Sequence, residues 1–70
     1  MPIVFAPLNT ELRIVRVLVD DKTKKHLESL GITVNGSIKV LSSSGGSVVC
    51  FVKDGKIALD SNLSTKIFVA

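Results

Sequence analysis

The stretch KHLESLGITVNGSIKVL, Lys25 to Leu41, decides how the rest of the chain is read. Leu27 and Leu30 stand three apart and therefore share one face of a helix. Gly31 follows at once, and glycine enters without steric penalty the left-handed conformation that closes a helix. With Leu30 as C-cap, Ile32 falls at C″ and Leu27 at C3, the two positions whose side chains meet in a Schellman ending. Asn35-Gly36 then turns the chain, and Ile38 and Val40 alternate with Ser37 and Lys39 as in a half-buried strand. One helix, held by its cap against a sheet, is the expected centre of the core.

Upstream of this stretch, Pro7 keeps residues 1–9 extended. LRIVRVLV, Leu12 to Val19, reads as the first long strand. Arg16 falls on the side of Leu12 and Ile14, where a twist or bulge would re-aim it; the alternation alone leaves this open. Asp20-Asp21 closes the strand and offers an N-cap, with carboxylates at the positive end of the helix dipole, for a helix over about Lys22–Leu30. Projected at about 100° per residue, Thr23, Leu27 and Leu30 face the core. His26 lies at the border of that face, and Lys25, Glu28 and Ser29 face water.

Downstream, a second strand is expected from Ser37 to Ser42, and Ser42 to Ser47 (SSSGGS) has the composition of a mobile hairpin tip. A third strand covers Val48 to Lys53. Asp54-Gly55 is a two-residue hairpin signal, which pairs Lys53 with Lys56, Val52 with Ile57, Phe51 with Ala58 and Cys50 with Leu59. Cys50, Val52, Ile57 and Leu59 then share the core side. Val49, Phe51 and Ala58 form a small apolar patch on the opposite face among Lys53, Lys56 and Asp60, to be covered by residues 3–8 or by a partner. Asp60-Ser61-Asn62-Leu63 reads as a capped single turn. Lys66 to Val69 is a last strand, with Ile67 and Val69 inward.

Seventy residues, rich in Val, Ile and Leu and without Trp or Tyr, make one domain over residues 1–70. The expected fold is all-β, a small barrel of about five strands with one short α-helix. No apolar run approaches the ~20 residues of a membrane span, and MPIVFAPL lacks the basic start of a signal peptide. The single cysteine suits a reducing, cytoplasmic setting. A net charge of +3 permits an acidic partner or nucleic acid without arguing for either.

His26 and Cys50 are the chain's one histidine and one cysteine, and a structural zinc site needs four ligands, so no intramolecular metal site is expected. His26 reads more simply as a half-exposed helix residue. Cys50, between Val49 and Phe51, has no basic neighbour to lower its pKa and reads as a buried, inert thiol. SGGS has neither the spacing nor the Gly-Lys-Ser/Thr ending of a phosphate loop. With no catalytic constellation, neither an enzyme nor a cofactor is expected. For single-stranded nucleic acid, Phe51 is the one aromatic on a strand face that also carries lysines, Lys53 and Lys56. KDGK and KTKKH read more simply as solvated surface.

Taken in order, these pieces resemble the FeoA family, the small SH3-like domains of ferrous-iron transport protein A. That family shows a basic pair before Leu-x-x-Leu-Gly, a turn glycine before an Ile-x-Val strand, then Ile-Ala-Leu and a final Ile-x-Val. Here those are Lys25 to Gly31, Gly36 to Val40, Lys56 to Leu59 and Ile67 to Val69, and Pro7-Leu8 resembles the family's opening. Asn9 to Leu12 departs from the pattern in having no glycine; His26 stands where arginine is common, and Asn35 where proline is frequent.

The resemblance implies an SH3-like barrel that acts as an adaptor rather than an enzyme. FeoA-like proteins are thought to work with FeoB, the ferrous-iron permease with a cytosolic GTP-binding region. Contacts to it are expected from the helix surface (Lys24, Lys25, His26, Glu28) or from the Val49, Phe51 and Ala58 patch, with no insertion of this chain into the membrane. Whether the chain also forms a homo-oligomer is left open. Two alternatives stand beside this one: a nucleic-acid-binding small barrel, and a regulatory module related to the SH3-like domain of iron-dependent repressors. The start at Met1 and the lack of a DNA-binding helix pair favour the transport partner over the repressor.

Overall fold

The computed structural model describes residues 1–53 and 55–70. In chain order they form a 3-10 turn (Ile3–Phe5), β1 (Glu11–Val17), α1 (Asp21–Ser29), β2 (Ser37–Ser44), β3 (Ser47–Val52), β4 (Gly55–Leu59), α2 (Ser61–Ser64) and β5 (Ile67–Val69). The strands make one antiparallel sheet in the order β4-β3-β2-β1-β5, curled into a small SH3-like barrel.

Both ends of α1 are set by local chemistry. The Asp20 carboxylate accepts the Thr23 backbone N–H at 3.0 Å, which satisfies one of the free donors of the first turn. At the other end Ile32 N–H donates to the Leu27 carbonyl at 2.9 Å and Gly31 N–H to that of Glu28 at 3.0 Å. Gly31 stands at φ +101°. This is the Schellman pattern, and Leu27 and Ile32, each 1% exposed, lie together in the core. Leu30, expected on the core face, is instead 41% exposed. The left-handed step at Gly31 brings Ile32 back to Leu27, and Ile32 rather than Leu30 joins Leu27 in the core.

β1 holds two partners along its length. Leu12 faces Ile38 of β2, while Ile14, Arg16 and Val17 face Val69, Phe68 and Ile67 of β5. The register slips between Ile14 and Arg16. This bulge turns both Val15 and Arg16 outward and returns Val17 to the core side, which resolves the position of Arg16. It also sends Leu18 outward, so the strand ends at Val17 rather than Val19.

The serine-rich stretch is ladder rather than loop. β2 runs on to Ser44 after a second slip between Val40 and Ser42, and Ser42, Ser43 and Ser44 face Val49, Val48 and Ser47. Gly45 and Gly46, at φ +58° and +85°, form the two-residue turn, the conformation that matches the twist of flanking strands. The tip is held: the buried Ser64 hydroxyl of α2 donates to the Gly46 carbonyl. A Cβ at Gly46 would lie 2.9 Å from that of Ser61. α2 itself is the expected capped turn, with the Asp60 carboxylate accepting Leu63 N–H at 2.9 Å.

Between β3 and β4 the pairing is Val48–Leu59, Val49–Ala58, Cys50–Ile57, Phe51–Lys56 and Val52–Gly55, displaced by two residues from expectation. Gly55 is the first residue of β4 instead of a turn residue, and Lys53 takes φ +40°; Asp54 lies outside the described residues. Because side chains alternate with period two, an even displacement keeps every residue on its expected face.

Residues 1–9 are not simply extended. Pro2 starts the 3-10 turn, Phe5 N–H donates to its carbonyl at 3.0 Å, and Ile3 is driven to 0% exposure. Met1 exchanges backbone hydrogen bonds with Val69 at 2.9 and 2.8 Å, and Asn9 N–H reaches the Val40 carbonyl at 2.7 Å. The segment thus runs from β5 to β2 and closes the barrel. Asn9 (φ +59°) supplies the left-handed step in a loop without glycine, as Asn35 (φ +73°) does in the turn closed by Gly36 N–H to the Thr33 carbonyl.

Gly31→Ala leaves room for the methyl group, since the nearest atom is Val52 Cγ2 at 3.4 Å, but forces a left-handed L-residue at about 1–2 kcal/mol. Tm falls by roughly 4–8 °C for each kcal/mol, which calorimetry reads directly. The hydrogen bond from Thr23 holds the Asp20 carboxyl below its ordinary value of 3.8. The stability contributed by its ionised form is complete above the unfolded-state value and is lost as pH falls through the lower folded-state value. In urea denaturation, the stability of the wild type relative to Asp20→Asn therefore declines across that acid range.

Candidate functional site

The barrel interior is filled by aliphatic side chains from Ile3 to Val69, so any function of the described residues lies on the surface. On the outer face of the sheet the register builds one row from four residues: Glu11 faces Lys39, Lys39 faces Phe51, and Phe51 faces Lys56. Phe51 is 43% exposed. In the next row Ser42 faces Val49, and Val49 faces Ala58. Val49, Phe51 and Ala58 thus share a face as expected, but Phe51 sits between two lysines rather than opposite Ala58. Of residues 3–8, expected as a possible cover, Ile3 turns into the core, and the Phe51 ring stays exposed.

The sequence pattern does not mark Lys39 as a candidate site residue. The outward alternation of Ser37 and Lys39 is a usable signal, but which β3 residue meets Lys39 depends on the slip between Val40 and Ser42. No local pattern reports that slip.

The four helix residues Lys24, Lys25, His26 and Glu28 are all exposed. Glu28 and the cap residues Leu30 and Gly31 line a groove whose other wall is Val52, Lys53, Gly55, Lys56 and Ile57. Glu28 is thereby brought toward the β3–β4 hairpin, whereas Lys24, Lys25 and His26 do not line this groove.

Cys50 is fully buried, and burial pushes its thiol up to about 11, because a thiolate there would lose its hydration. Its Sγ–H points to the Ile57 carbonyl at 3.7 Å. A neutral thiol without access to solvent is no nucleophile. Among the described residues no three His, Cys, Asp or Glu side chains gather as metal ligands, and no helix is long and apolar enough to cross a membrane. What the surface offers among the described residues is charge, the exposed rings of Phe5 and Phe51, and a groove.

No curated protein matches this chain in sequence. A crystal structure of an iron uptake regulatory protein (FeoA) superposes with a TM-score of 0.87 over 99% of this chain and 93% of that one, at 21% sequence identity. At that identity the likeness speaks for the fold: a small barrel with the same architecture. The FeoA domain model matches the sequence itself from residue 1 to residue 70, and on that match the chain belongs to the FeoA family.

Proposed function

We propose that this chain is a non-enzymatic accessory protein of ferrous-iron uptake, acting in the cytoplasm by docking on the cytosolic GTP-binding region of a FeoB-type permease. The observation that carries the reading is the FeoA match over the full 70 residues. The superposable neighbour described as an iron uptake regulatory protein supports the iron connection. The physical features agree with a binding role: the core holds the one thiol inert, and the exposed groups include lysines, the Glu11 and Glu28 carboxylates and the Phe51 ring.

Two surfaces are assigned to the contact. One is the exposed face of α1, with Lys24, Lys25, His26 and Glu28; the other is Phe51 with Val49 and Ala58. Lysines at a rim steer an acidic partner and add little affinity, whereas an aromatic side chain buried on docking contributes more.

Titration calorimetry against the permease's soluble region tests this. Phe51→Ser is expected to weaken binding about tenfold, equivalent to ~1.4 kcal/mol. Lys25→Glu is expected to weaken it a few-fold, with the difference shrinking as salt screens the charge. Unchanged binding in both variants would remove these surfaces from the account, and no binding by the wild type would remove the docking itself.

A further inference from the structure

The two edges of the sheet are treated differently by this chain. The β5 edge is occupied by the chain's own start, through the Met1–Val69 hydrogen bonds and the Pro2–Phe68 bridge. The β4 edge has β3 on one side, and among the described residues no backbone hydrogen bond outside that ladder reaches Gly55–Leu59. Alternate residues of an edge strand aim N–H and C=O groups away from the sheet. The first three residues of this edge strand, Gly55, Lys56 and Ile57, line the groove whose far wall is the last turn of α1, at Glu28, Leu30 and Gly31. An edge strand facing a helix end across a slot is the geometry in which an extended peptide adds a strand and packs its alternate side chains.

The rows of the sheet say what that peptide should carry. On the outer face the row ends in Lys56, which has Phe51 on one side and the open edge on the other, whereas Lys39 in the same row has Glu11 across from the ring's neighbour strand. An acidic residue opposite Lys56 would complete the row as Glu11 does at its far end. On the inner face the row Val40, Cys50, Ile57 is apolar, so the residue opposite Ile57 should be apolar as well. Opposite Ala58, beside Val49, a small apolar residue fits.

We infer that the free edge of β4 takes up an extended segment of the docking partner as a sixth strand, with an acidic residue opposite Lys56 and apolar residues opposite Ile57 and Ala58. This rests on the docking reading for the identity of the partner, and on the sheet alone for the mode of binding. Five residues of β4 span about 17 Å of ladder at ~3.4 Å per residue.

The test uses the full chain with two probes: the capped peptide Thr-Val-Ala-Val-Glu-Val-Thr and the permease's soluble region. With the peptide, amide NMR shifts and slowed hydrogen exchange are expected at Gly55–Leu59 and at Leu30 and Gly31. N-methylation of one alternate set of peptide amides should weaken binding at least about tenfold and of the other set little, since only one set faces the edge. Lys56→Glu, a change at an exposed position, should weaken the peptide and favour its Glu-to-Lys counterpart. Failure of the peptide to bind, equal effects of the two methylation patterns, or shifts elsewhere would overturn strand addition. With the permease region, protection of the β4 amides supports the inference, and binding without that protection overturns it while sparing the docking reading. If the peptide adds as described and the permease region does not bind, the edge site stands and the docking reading fails.

Discussion

The contact between Leu27 and Ile32 is the joint on which the molecule depends. Leu27 is the buried residue of α1, so the helix is pinned to the barrel through this side chain and the cap that follows. The cap fixes the angle as well as the contact. Two backbone hydrogen bonds and a glycine at φ +101° set the direction in which the chain leaves α1 toward β2. A nine-residue helix has little stability of its own in water. It persists because the residues that end it are also the residues that bury it.

The barrel is closed by irregularities rather than by regular pairing. The slip in β1 between Ile14 and Arg16 and the slip in β2 between Val40 and Ser42 bend the two strands that carry most of the sheet. Such bulges raise local twist and let a small sheet curl. Residues 1–9 then bridge the gap from β5 to β2, and Ile3 plugs the interior at 0% exposure. α2 serves the same end on another side, where the Ser64 hydroxyl ties the β2–β3 tip to the body through the Gly46 carbonyl. A chain of this size buries a limited core, and nearly every departure from regular structure here adds to it.

With the interior given over to packing, function falls to the outer surface. The row Glu11, Lys39, Phe51, Lys56 places a ring between two cations, and it exists because three separate strand registers bring those residues abreast. Membership in the FeoA family gives this surface a context.

The amino-acid sequence by itself determined the elements whose causes are local. The Asp20 cap, the Leu27–Gly31–Ile32 ending, the turn at Asp60 and the inward faces of β3 and β4 all depend on residues within a few positions of one another, where propensity and period act directly. The order of these pieces was enough to mark the FeoA resemblance. Tertiary structure decided the rest. It turned Leu30 outward, extended the serine run into a ladder, displaced the β3–β4 pairing by two residues and buried Ile3. The burial of Ile3 depends on distant strands, and an even displacement of the β3–β4 pairing keeps the same side chains inward, so periodicity alone does not choose between the two registers. The choice among such registers is made by the closure of the whole barrel, and with it the position of Phe51 between its two lysines.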